Sequence, residues 1–458
     1  MRVPRSLRSL SSAVAVAAAT TLFMAPSACG DATANVLSGP DVDSGHSGDG
    51  STRVDGSDFC SGAGPFVQLP QGSCTGDLGK RSFLFALCAC TSGDVSGVLR
   101  TDSFHSLGGA TTGSLASIGT NGAFSTNSRL DVRGSIWSRG EAASSAITLT
   151  NRTSAGAVSS ELHAGAALRV DGTFTAGGDV FAGGGIDLVS GGVSTPGKLH
   201  VPQGAPVAGV AAAGGVVREA VSVAPPCDCT KPLDIAAIVA GFQSNNDDAR
   251  AGISARDLDV GQSSGGKTLT LPCGRYAFDA ITGDGITLRL TGRTAIFVAG
   301  NLDVTSALAI ELGPQAELDL FIAGDFRLNG SAAFGSIAAP AKVRVYIGGA
   351  SVTLSGQAKV GANLYAPNAD LAFASAYEMS GALFAKRFAF SGDFTIHYDE
   401  AVIETQGCQP PASSCSTCHD CSGATPSCKN GSCAPCQTSA DCCAPLACRS
   451  GTCVLDLR

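Results

Sequence analysis

The sequence predicts a mainly β protein built as a β-solenoid, in which short strands stack in successive coils. Glycine accounts for 59 of the 458 residues and aromatic residues for only 6%, which favours many tight turns over a helical bundle. Short segments with an apolar residue at every second position end in glycine or start again after it, as in Leu130–Ile136 and Leu168–Phe174. Aromatic residues recur every 19 to 25 positions after residue 290, a period typical of stacked coils.

The repeat is clearest after residue 290, where an apolar segment, a small-residue turn and a second apolar segment follow one another. The aromatic residues that mark it are Phe297, Phe321, Tyr346, Tyr365 and Phe384. A single coil cannot bury its own inner face, so these coils must stack to form a core. We expect a parallel β-helix of the right-handed type. An irregular β-sandwich is the alternative, because its strands also follow one another at intervals of about 8 to 12 residues.

One amphipathic helix is predicted at about residues 232–246. Apolar residues recur at i, i+3 and i+4 between Leu233 and Phe242, and Pro232 suits the first helical turn. We expect this helix to lie along the solenoid or to cap it.

The N-terminus predicts export. The apolar stretch 13–25 is preceded by Arg2, Arg5 and Arg8 and followed by small residues typical of a cleavage site. This stretch is too short to span a bilayer. We therefore expect residues 1–28 to be a signal peptide. Nineteen cysteines indicate an oxidising compartment. The net charge is −8 and basic residues do not cluster after residue 10, so no nucleic-acid partner is expected.

Cys29 directly follows the apolar stretch and two small residues, in a pattern that resembles the lipobox of bacterial lipoproteins. Excluding Cys29 leaves 18 cysteines, an even number that can all pair. We therefore expect lipidation of Cys29 and a membrane anchor at the outer membrane or cell surface. Ordinary signal cleavage, giving a periplasmic or secreted protein, is the alternative. Residues 29–58 are rich in Gly, Ser and Asp, which predicts a flexible tether.

The predicted solenoid spans 59–405 and a cysteine-rich module spans 406–458. The range 408–453 holds 11 of the 19 cysteines, a density typical of a disulfide scaffold with little core of its own. The candidate disulfide residues are Cys60, Cys74, Cys88, Cys90, Cys227, Cys229, Cys273, Cys408, Cys415, Cys418, Cys421, Cys428, Cys433, Cys436, Cys442, Cys443, Cys448 and Cys453.

Two Cys-x-Cys motifs, Cys88 with Cys90 and Cys227 with Cys229, match each other. Residues i and i+2 of a strand share a face, so each motif presents two thiols on one side. We expect the two motifs to bridge adjacent coils.

A P-loop pattern occurs at Gly261–Thr268, but a strand-like segment that ends at Pro272 follows it in place of the required helix. We therefore expect a glycine turn and no bound nucleotide. The segment Cys415–His419 fits the c-type haem attachment pattern, and its cysteines also have spacings typical of zinc sites. The surrounding cysteines favour disulfides, so no haem, no metal and no other cofactor is expected.

No catalytic residues are predicted. Gly-x-Ser-x-Gly is missing, and the histidines at 105, 163, 200 and 397 are scattered. The polar segment His397–Glu400 is interpreted as a cap at the end of the last coil. Asp303, Asp325 and Asp370 recur at related positions of their coils, which leaves open an acidic outer face of the kind used by pectate-lyase-like enzymes.

The segment 267–402, from TLTLPCGRYAF to FSGDFTIHYDEAV, resembles a domain of uncharacterised function found in exported, PilX-like bacterial proteins, with repeats similar to those of bactofilins. The tail CAPCQTSADCCAPLACRSGTCV resembles the cystine-rich modules of Dickkopf, colipase and knottin proteins, of the kind found on myxobacterial-type lipoproteins. These resemblances imply a β-solenoid and a surface role, and bring no catalytic residues.

The sequence therefore predicts an exported, lipid-anchored bacterial cell-surface protein with a structural or adhesive, ligand-binding role in the envelope or matrix. A polysaccharide-active β-helix enzyme is the main alternative, and a c-type haem carrier through Cys415–His419 is the minor one.

Overall fold

A computed structural model of the protein describes residues 60, 79, 81–108, 111, 113–261, 266–330, 333–355, 359–373, 375–404, 427–429, 431–442, 446–449 and 452–455. Several predicted features lie outside the described residues, namely the signal peptide 1–28, the tether 29–58 including Cys29, and Cys74, Cys408, Cys415, Cys418, Cys421 and Cys443.

The predicted fold is confirmed as a mainly β, parallel β-solenoid of about 13 turns. Its strands fall into two runs along the chain, which we call the N-terminal stack and the C-terminal stack. The N-terminal stack consists of β1 (Leu87–Ala89), β2 (Gly93–Val95), β3 (Leu99–Phe104), β4 (Ile118–Thr120), β5 (Phe124–Thr126), β6 (Leu130–Val132), β7 (Ile136–Ser138), β8 (Ser145–Val158), β9 (Leu162–Ala164), β10 (Ala167–Ala176), β11 (Val180–Ala182), β12 (Ile186–Thr195), β13 (Leu199–Val201), β14 (Val210–Ala212) and β15 (Val216–Arg218).

The C-terminal stack has the same construction and nearly the same length in sequence. It consists of β16 (Lys267–Leu271), β17 (Gly274–Phe278), β18 (Ile281–Gly283), β19 (Ile286–Leu290), β20 (Thr294–Val298), β21 (Leu302–Val304), β22 (Leu308–Leu312), β23 (Leu318–Ile322), β24 (Phe326–Leu328), β25 (Ala333–Gly335), β26 (Val343–Ile347), β27 (Ser351–Leu354), β28 (Lys359–Gly361), β29 (Asn363–Phe373), β30 (Tyr377–Ser380), β31 (Leu383–Phe390) and β32 (Phe394–Asp399).

The two stacks join in the opposite order to the sequence. The last strands of the C-terminal stack, β31 and β32, pair in parallel with the first strands of the N-terminal stack, β1, β2 and β3. We call this contact the junction. The coil that ends the solenoid in sequence therefore lies near its middle in space, and the two stacks form one continuous sheet.

The core crosses the junction without a break in register. One inward-facing position runs through consecutive coils as a column of buried aliphatic side chains. Its members in spatial order are Ile296, Leu320, Val345, Leu364, Leu383, Leu87, Ile118, Ile136, Leu162 and Val180. Each is at most 2% exposed. Burying one such side chain stabilises the fold by about 1.5–3 kcal/mol, so the column accounts for much of the coil-to-coil attraction.

Residues 220–247, which we call the strap, connect the end of the N-terminal stack to the start of the C-terminal stack. The strap contains helix α1 (Ile235–Phe242), and the short helix α2 (Asp248–Ala251) follows it. The Asp234 side chain caps α1 by accepting a hydrogen bond of 3.0 Å from the Ala237 N–H. The predicted helix thus lies along the solenoid; α2 was not predicted.

The remaining described elements are short. Three 3-10 helices span Pro340–Lys342, Glu400–Glu404 and Ser439–Asp441. In the C-terminal region, β33 (Ser427–Lys429) pairs with β34 (Ser432–Ala434), and β35 (Leu446–Arg449) pairs with β36 (Thr452–Leu455), each as an antiparallel hairpin. The described residues include no helix with the length and hydropathy needed to span a membrane.

Candidate functional site

An aromatic ladder runs along one side of the solenoid. In each coil one outward-pointing residue lies in register with its equivalent in the next coil, and most of these residues carry rings. The rungs in spatial order are Phe297, Phe321, Tyr346, Tyr365, Phe384, Cys88, Gly119, Trp137, His163, Phe181, His200 and Val217. The five aromatics predicted to mark the repeat therefore form the first half of one ladder.

Ring distances show that the rungs stack directly. The centroids of Phe321 and Tyr346 are 4.7 Å apart and nearly parallel, and Phe297 lies 5.2 Å from Phe321. In the N-terminal stack, His163 lies 3.7 Å from Trp137 and 4.4 Å from Phe181. Such pairs add about 0.5–1.5 kcal/mol each beyond the area they bury, so the ladder contributes to coil-to-coil stability.

The strap covers the ladder of the C-terminal stack. The Leu233 N–H donates to the Tyr365 hydroxyl at 3.3 Å, and the ring of Phe242 stacks on Phe297 at 4.1 Å. Ile235 and Val239 of α1 are each 1% exposed. These rings are therefore structural, and they are not available to a ligand while the strap is in place.

The strap is fastened where the ladder has no ring. Cys88 is bonded to Cys227 and Cys90 to Cys229, so the two Cys-x-Cys motifs are joined position by position. The motifs were expected to bridge adjacent coils, but Cys227 and Cys229 lie in the strap. At the next rung a Cβ on Gly119 would lie 3.0 Å from Pro226, so a side chain there would push the strap away.

A buried ion pair lies beside the ladder. Arg344 and Asp319 occupy adjacent coils with side chains 1% and 2% exposed, and Nε of Arg344 donates to Asp319 at 2.7 Å. Arg344 also donates to the Ala341 carbonyl at 3.0 Å and to Glu317 at 3.1 Å. Burial alone lowers the pKa of Arg344, but the two carboxylates raise it by more, so the guanidinium stays charged. This cluster holds adjacent coils together.

The polar segment His397–Glu400 does not cap an end of the solenoid, contrary to the prediction. It lies at the junction, because β32 pairs with β3 of the N-terminal stack. The fully buried Asp399 carboxylate accepts hydrogen bonds from the Ser106, Ala341 and Ala401 N–H groups at 2.9–3.1 Å. These bonds tie the two stacks together, which explains a polar cluster in the last coil of the sequence.

His397 links the stacks on the surface of the junction. Nδ1 lies 2.6 Å from Asp102 of the N-terminal stack and Nε2 lies 3.0 Å from Glu378. The hydrogen bond with Asp102 is the main reason that the pKa of His397 is raised to about 9, and Glu378 acts in the same direction. The imidazolium therefore bridges two carboxylates at neutral pH.

Two further histidines belong to the ladder and are not scattered, contrary to the sequence interpretation. His163 and His200 flank Phe181, and His163 contacts Glu161 at 2.9 Å. Burial lowers the pKa of His163 below its usual 6.5 in spite of this carboxylate. The intervals of 18 and 19 residues from His163 to Phe181 and from Phe181 to His200 indicate that these residues belong to the repeat. Because the repeated position holds histidine in some coils and phenylalanine in others, the sequence interpretation missed it.

Two of the three acidic positions singled out on the outer face pair with one arginine. Asp303 lies 3.7 Å and Asp325 3.3 Å from the Arg327 guanidinium. Asp325 also accepts hydrogen bonds of 3.1 Å from the Ala350 and Ser351 N–H groups.

Asp370 lies in a later coil, in register with Arg387, whose guanidinium is 2.7 Å from Asp94. These side chains lie in or beside a surface that we call the polar row, which is formed by one register position in successive coils. Its members in spatial order are Thr282, Asp303, Arg327, Thr353, Ala372, Ala389, Asp94, Ser125, Thr148, Arg169 and Asp187. It offers charged and hydroxyl side chains on a rigid face, interrupted by Ala372 and Ala389.

The segment with a P-loop pattern continues as a strand. Lys267 begins β16, and its Nζ lies 2.8 Å from Asp257. A phosphate-binding lysine requires a following helix N-terminus, which β16 replaces. Within the described ranges, no group of three or more His, Cys, Asp or Glu side chains is placed to hold a metal ion.

Five of the described C-terminal cysteines are disulfide-bonded. Cys436 is bonded to Cys448, and Cys428, Cys433 and Cys442 are also disulfide-bonded. The haem-like segment Cys415–His419 lies outside the described residues.

Comparison with known families identifies the domain that carries the strap and the C-terminal stack. Residues 215–405 match the family model of a domain of unknown function, DUF7305. The DUF7305 domain starts just before the strap and ends after β32, so it contains the strap and one side of the junction and excludes most of the N-terminal stack. No curated protein and no solved structure matched the chain.

Proposed function

We propose that this chain is an exported bacterial cell-surface protein, anchored through a lipid on Cys29, with a structural or adhesive role. The observation that carries the proposal is the set of three disulfides that fasten segments to the solenoid, Cys60–Cys273, Cys88–Cys227 and Cys90–Cys229. Disulfides of this kind persist in oxidising compartments and are rare in the cytosol. They support export, and the lipobox-like sequence before Cys29 adds the anchor.

The role is binding and not catalysis. The polar row is a long, rigid face, and both Asp303 in the row and Asp325 beside it are engaged with Arg327. A catalytic base needs a carboxylate or amine free to take a proton, whereas these groups are neutralised by one another. Such a face suits an extended envelope or matrix ligand that makes repeated polar contacts.

The resemblances support the same role. A PilX-like and bactofilin-like solenoid supplies a rigid body, and a Dickkopf- or knottin-like C-terminal module of the myxobacterial lipoprotein type supplies a second binding element. The disulfide-bonded Cys428, Cys433, Cys436, Cys442 and Cys448 are consistent with such a module.

The test is an intact-mass measurement of the full chain from an exporting bacterial host, before and after reduction and alkylation. We expect a lipid increment that disappears in Cys29→Ala, 18 cysteines that alkylate only after reduction, and loss of membrane association in the variant. Free thiols, a haem-sized adduct or an unlipidated N-terminus with unchanged location would contradict the proposal. Turnover of an anionic polysaccharide that is lost in Asp303→Asn would replace it with the enzymatic alternative.

A further inference from the structure

The dipeptide Asn-Gly occurs three times in the chain, beginning at Asn121, Asn329 and Asn430. This dipeptide is chemically labile, because glycine has no side chain to keep its backbone nitrogen away from the amide carbon of the asparagine side chain. Asn430 lies outside the described residues, and the other two asparagines lie in the solenoid. The structure holds these two asparagines in opposite ways.

Asn121 is bonded to the strap and cannot react easily. It is 8% exposed, and its side-chain amide donates to the Cys227 carbonyl at 2.9 Å and accepts from the Cys227 N–H at 3.0 Å. The nitrogen that would have to attack it belongs to Gly122, whose N–H donates to the Thr91 carbonyl at 2.5 Å. Both reacting groups of this pair are therefore engaged in hydrogen bonds.

Asn329 lies at a corner of the C-terminal stack, directly after β24, and is partly exposed. Its backbone N–H donates to the Val304 carbonyl at 2.8 Å, which holds the residue on the preceding coil. Within the described part of the chain, the Gly330 N–H donates to no carbonyl. Gly330 has a φ of +88°, and a Cβ at this position would lie 2.6 Å from the Ser306 carbonyl oxygen, so the corner requires glycine. The attacking nitrogen of this pair is therefore both unhindered and unengaged.

A hydroxyl group from the next coil contacts the carbonyl group that would react. Oγ of Ser355 donates to Oδ1 of Asn329, and the Ser355 N–H is itself fixed by the Leu328 carbonyl at 2.9 Å. When a nucleophile attacks an amide, negative charge develops on the carbonyl oxygen, and a donor already aimed at that oxygen stabilises the transition state. The stacking of the coils thus supplies a donor that an isolated peptide lacks.

We propose that Asn329 is a site of spontaneous, enzyme-free modification in the folded protein, assisted by Ser355. The Gly330 nitrogen loses its proton to water and forms a bond with Cγ of Asn329. The side-chain nitrogen leaves as ammonia, and a cyclic imide remains. Water then opens the imide at either carbonyl and gives aspartate or isoaspartate. The net reaction consumes water and releases ammonia, so it requires no oxidant, reductant or cofactor.

The modification adds a negative charge next to the polar row. Asn329 follows the row member Arg327 by two positions, as Ser355 follows Thr353 in the next coil. Residues two apart in an extended chain lie on the same side, so the new carboxylate joins the side that carries Arg327. Because Arg327 already pairs with two aspartates, a further acid makes this face more acidic as the molecule ages. The reaction does not depend on the proposed surface role.

The test follows both asparagines in one sample of the full mature chain, incubated in mildly alkaline buffer made with water enriched in the heavy oxygen isotope. Peptide mapping by mass spectrometry then measures labelled aspartate and isoaspartate at each position. We expect Asn329 to convert at least about tenfold faster than Asn121, because the hydrogen bonds that hold Asn121 and Gly122 must first open. In the reduced chain unfolded in guanidinium we expect the two rates to agree within about twofold, since only the fold distinguishes the two pairs.

Replacement of Ser355 tests the assisting hydroxyl group. We expect Ser355→Ala to slow the conversion of Asn329 by about 2- to 10-fold, the range that corresponds to one neutral hydrogen bond. Ser355→Thr keeps the hydroxyl group and is the matched control, expected to retain the wild-type rate. Equal unfolding midpoints for the two variants ensure that a changed rate reports the hydroxyl group and not a loosened coil.

Three results would overturn the proposal. One is an Asn329 that stays unmodified in the folded protein while the unfolded chain converts. Another is an Asn121 that converts as fast as Asn329 in the folded protein. The third is a rate in Ser355→Ala that equals or exceeds that of the wild type, which would show that the hydroxyl group does not assist the reaction.

Discussion

The two disulfides between β1 and the strap are expected to stabilise the protein in a strongly non-additive way. Their cysteines are 139 residues apart in both cases, and Cys90 and Cys229 lie only two positions from Cys88 and Cys227. In the chain-entropy description, closing a loop of this length stabilises the folded state by about 5 kcal/mol. Once one disulfide has closed this loop, the second disulfide closes a further loop of only a few residues and adds about 2 kcal/mol.

The perturbation is replacement of each pair by alanine, alone and together. We expect the loss of either pair to lower the free energy of unfolding by about 2 kcal/mol and the loss of both by about 7 kcal/mol. The excess over the sum is about 3 kcal/mol, well above the error of a double-mutant cycle. Alanine is preferred to serine because Cys88 and Cys227 are each 2% exposed.

The assay is guanidinium unfolding followed by far-UV circular dichroism and by tryptophan fluorescence. Trp137 is the only tryptophan in the chain and lies two rungs from Cys88 along the ladder, so its signal reports this region directly. The control replaces Cys436 and Cys448, whose bond spans 12 residues outside the solenoid, and is expected to leave this transition unchanged. Additive losses from the two pairs would refute the argument that they close one shared loop.

Four further predictions concern the core, the junction and the ladder. Asp319→Ala removes the carboxylate nearest to the buried Arg344 charge, so the free energy of unfolding falls by about 3–5 kcal/mol. Arg344→Met in the same background recovers part of this loss in chemical unfolding. His397 has a pKa of about 9 in the folded protein against 6.5 when unfolded. Its contribution to stability is therefore complete below about pH 6.5 and is lost as the pH rises through 9. His397→Gln is expected to flatten this part of a pH–stability profile and to lower the free energy of unfolding by about 1 kcal/mol, after allowance for solvent screening. His163 has the opposite sign, since its lowered pKa makes stability fall as the pH drops below 6.5, and a profile without that acid limb would contradict its burial. Phe321→Ala leaves a cavity between two ladder rings and costs about 3–5 kcal/mol, and a cost below 1 kcal/mol would show that the strap does not seal the ladder.

The solenoid and its marker aromatics were predictable because they depend on local pattern. Alternating apolar residues and a repeat of about 20 residues define the strands of a coil whatever its position in the stack. Phe297 and Phe384 were therefore assigned correctly to one repeat. The helix near Ile235 was predictable for the same reason, from its 3.6-residue period. Local pattern specifies each coil and carries no information about which coil lies next to it.

The order of the two stacks was therefore not predictable. Leu87 and Leu383 are nearly 300 residues apart, and either one fits equally well at an end or in the middle of a stack. Polar groups at His397 and Asp399 suggested an end cap, whereas they bond across the junction. The one long-range signal was the matched spacing of the two Cys-x-Cys motifs, which predicted a link but not that one motif lies in a strap.

The central claim is a solenoid to which disulfides fasten both the strap and Cys60. Disulfide mapping by mass spectrometry of the non-reduced, full mature chain tests it most directly. The account predicts one peptide pair that joins Cys60 to Cys273, and a second pair that joins the segment with Cys88 and Cys90 to the segment with Cys227 and Cys229. Internal bonds within each Cys-x-Cys motif, or a Cys60 bonded to the C-terminal cysteines, would contradict it.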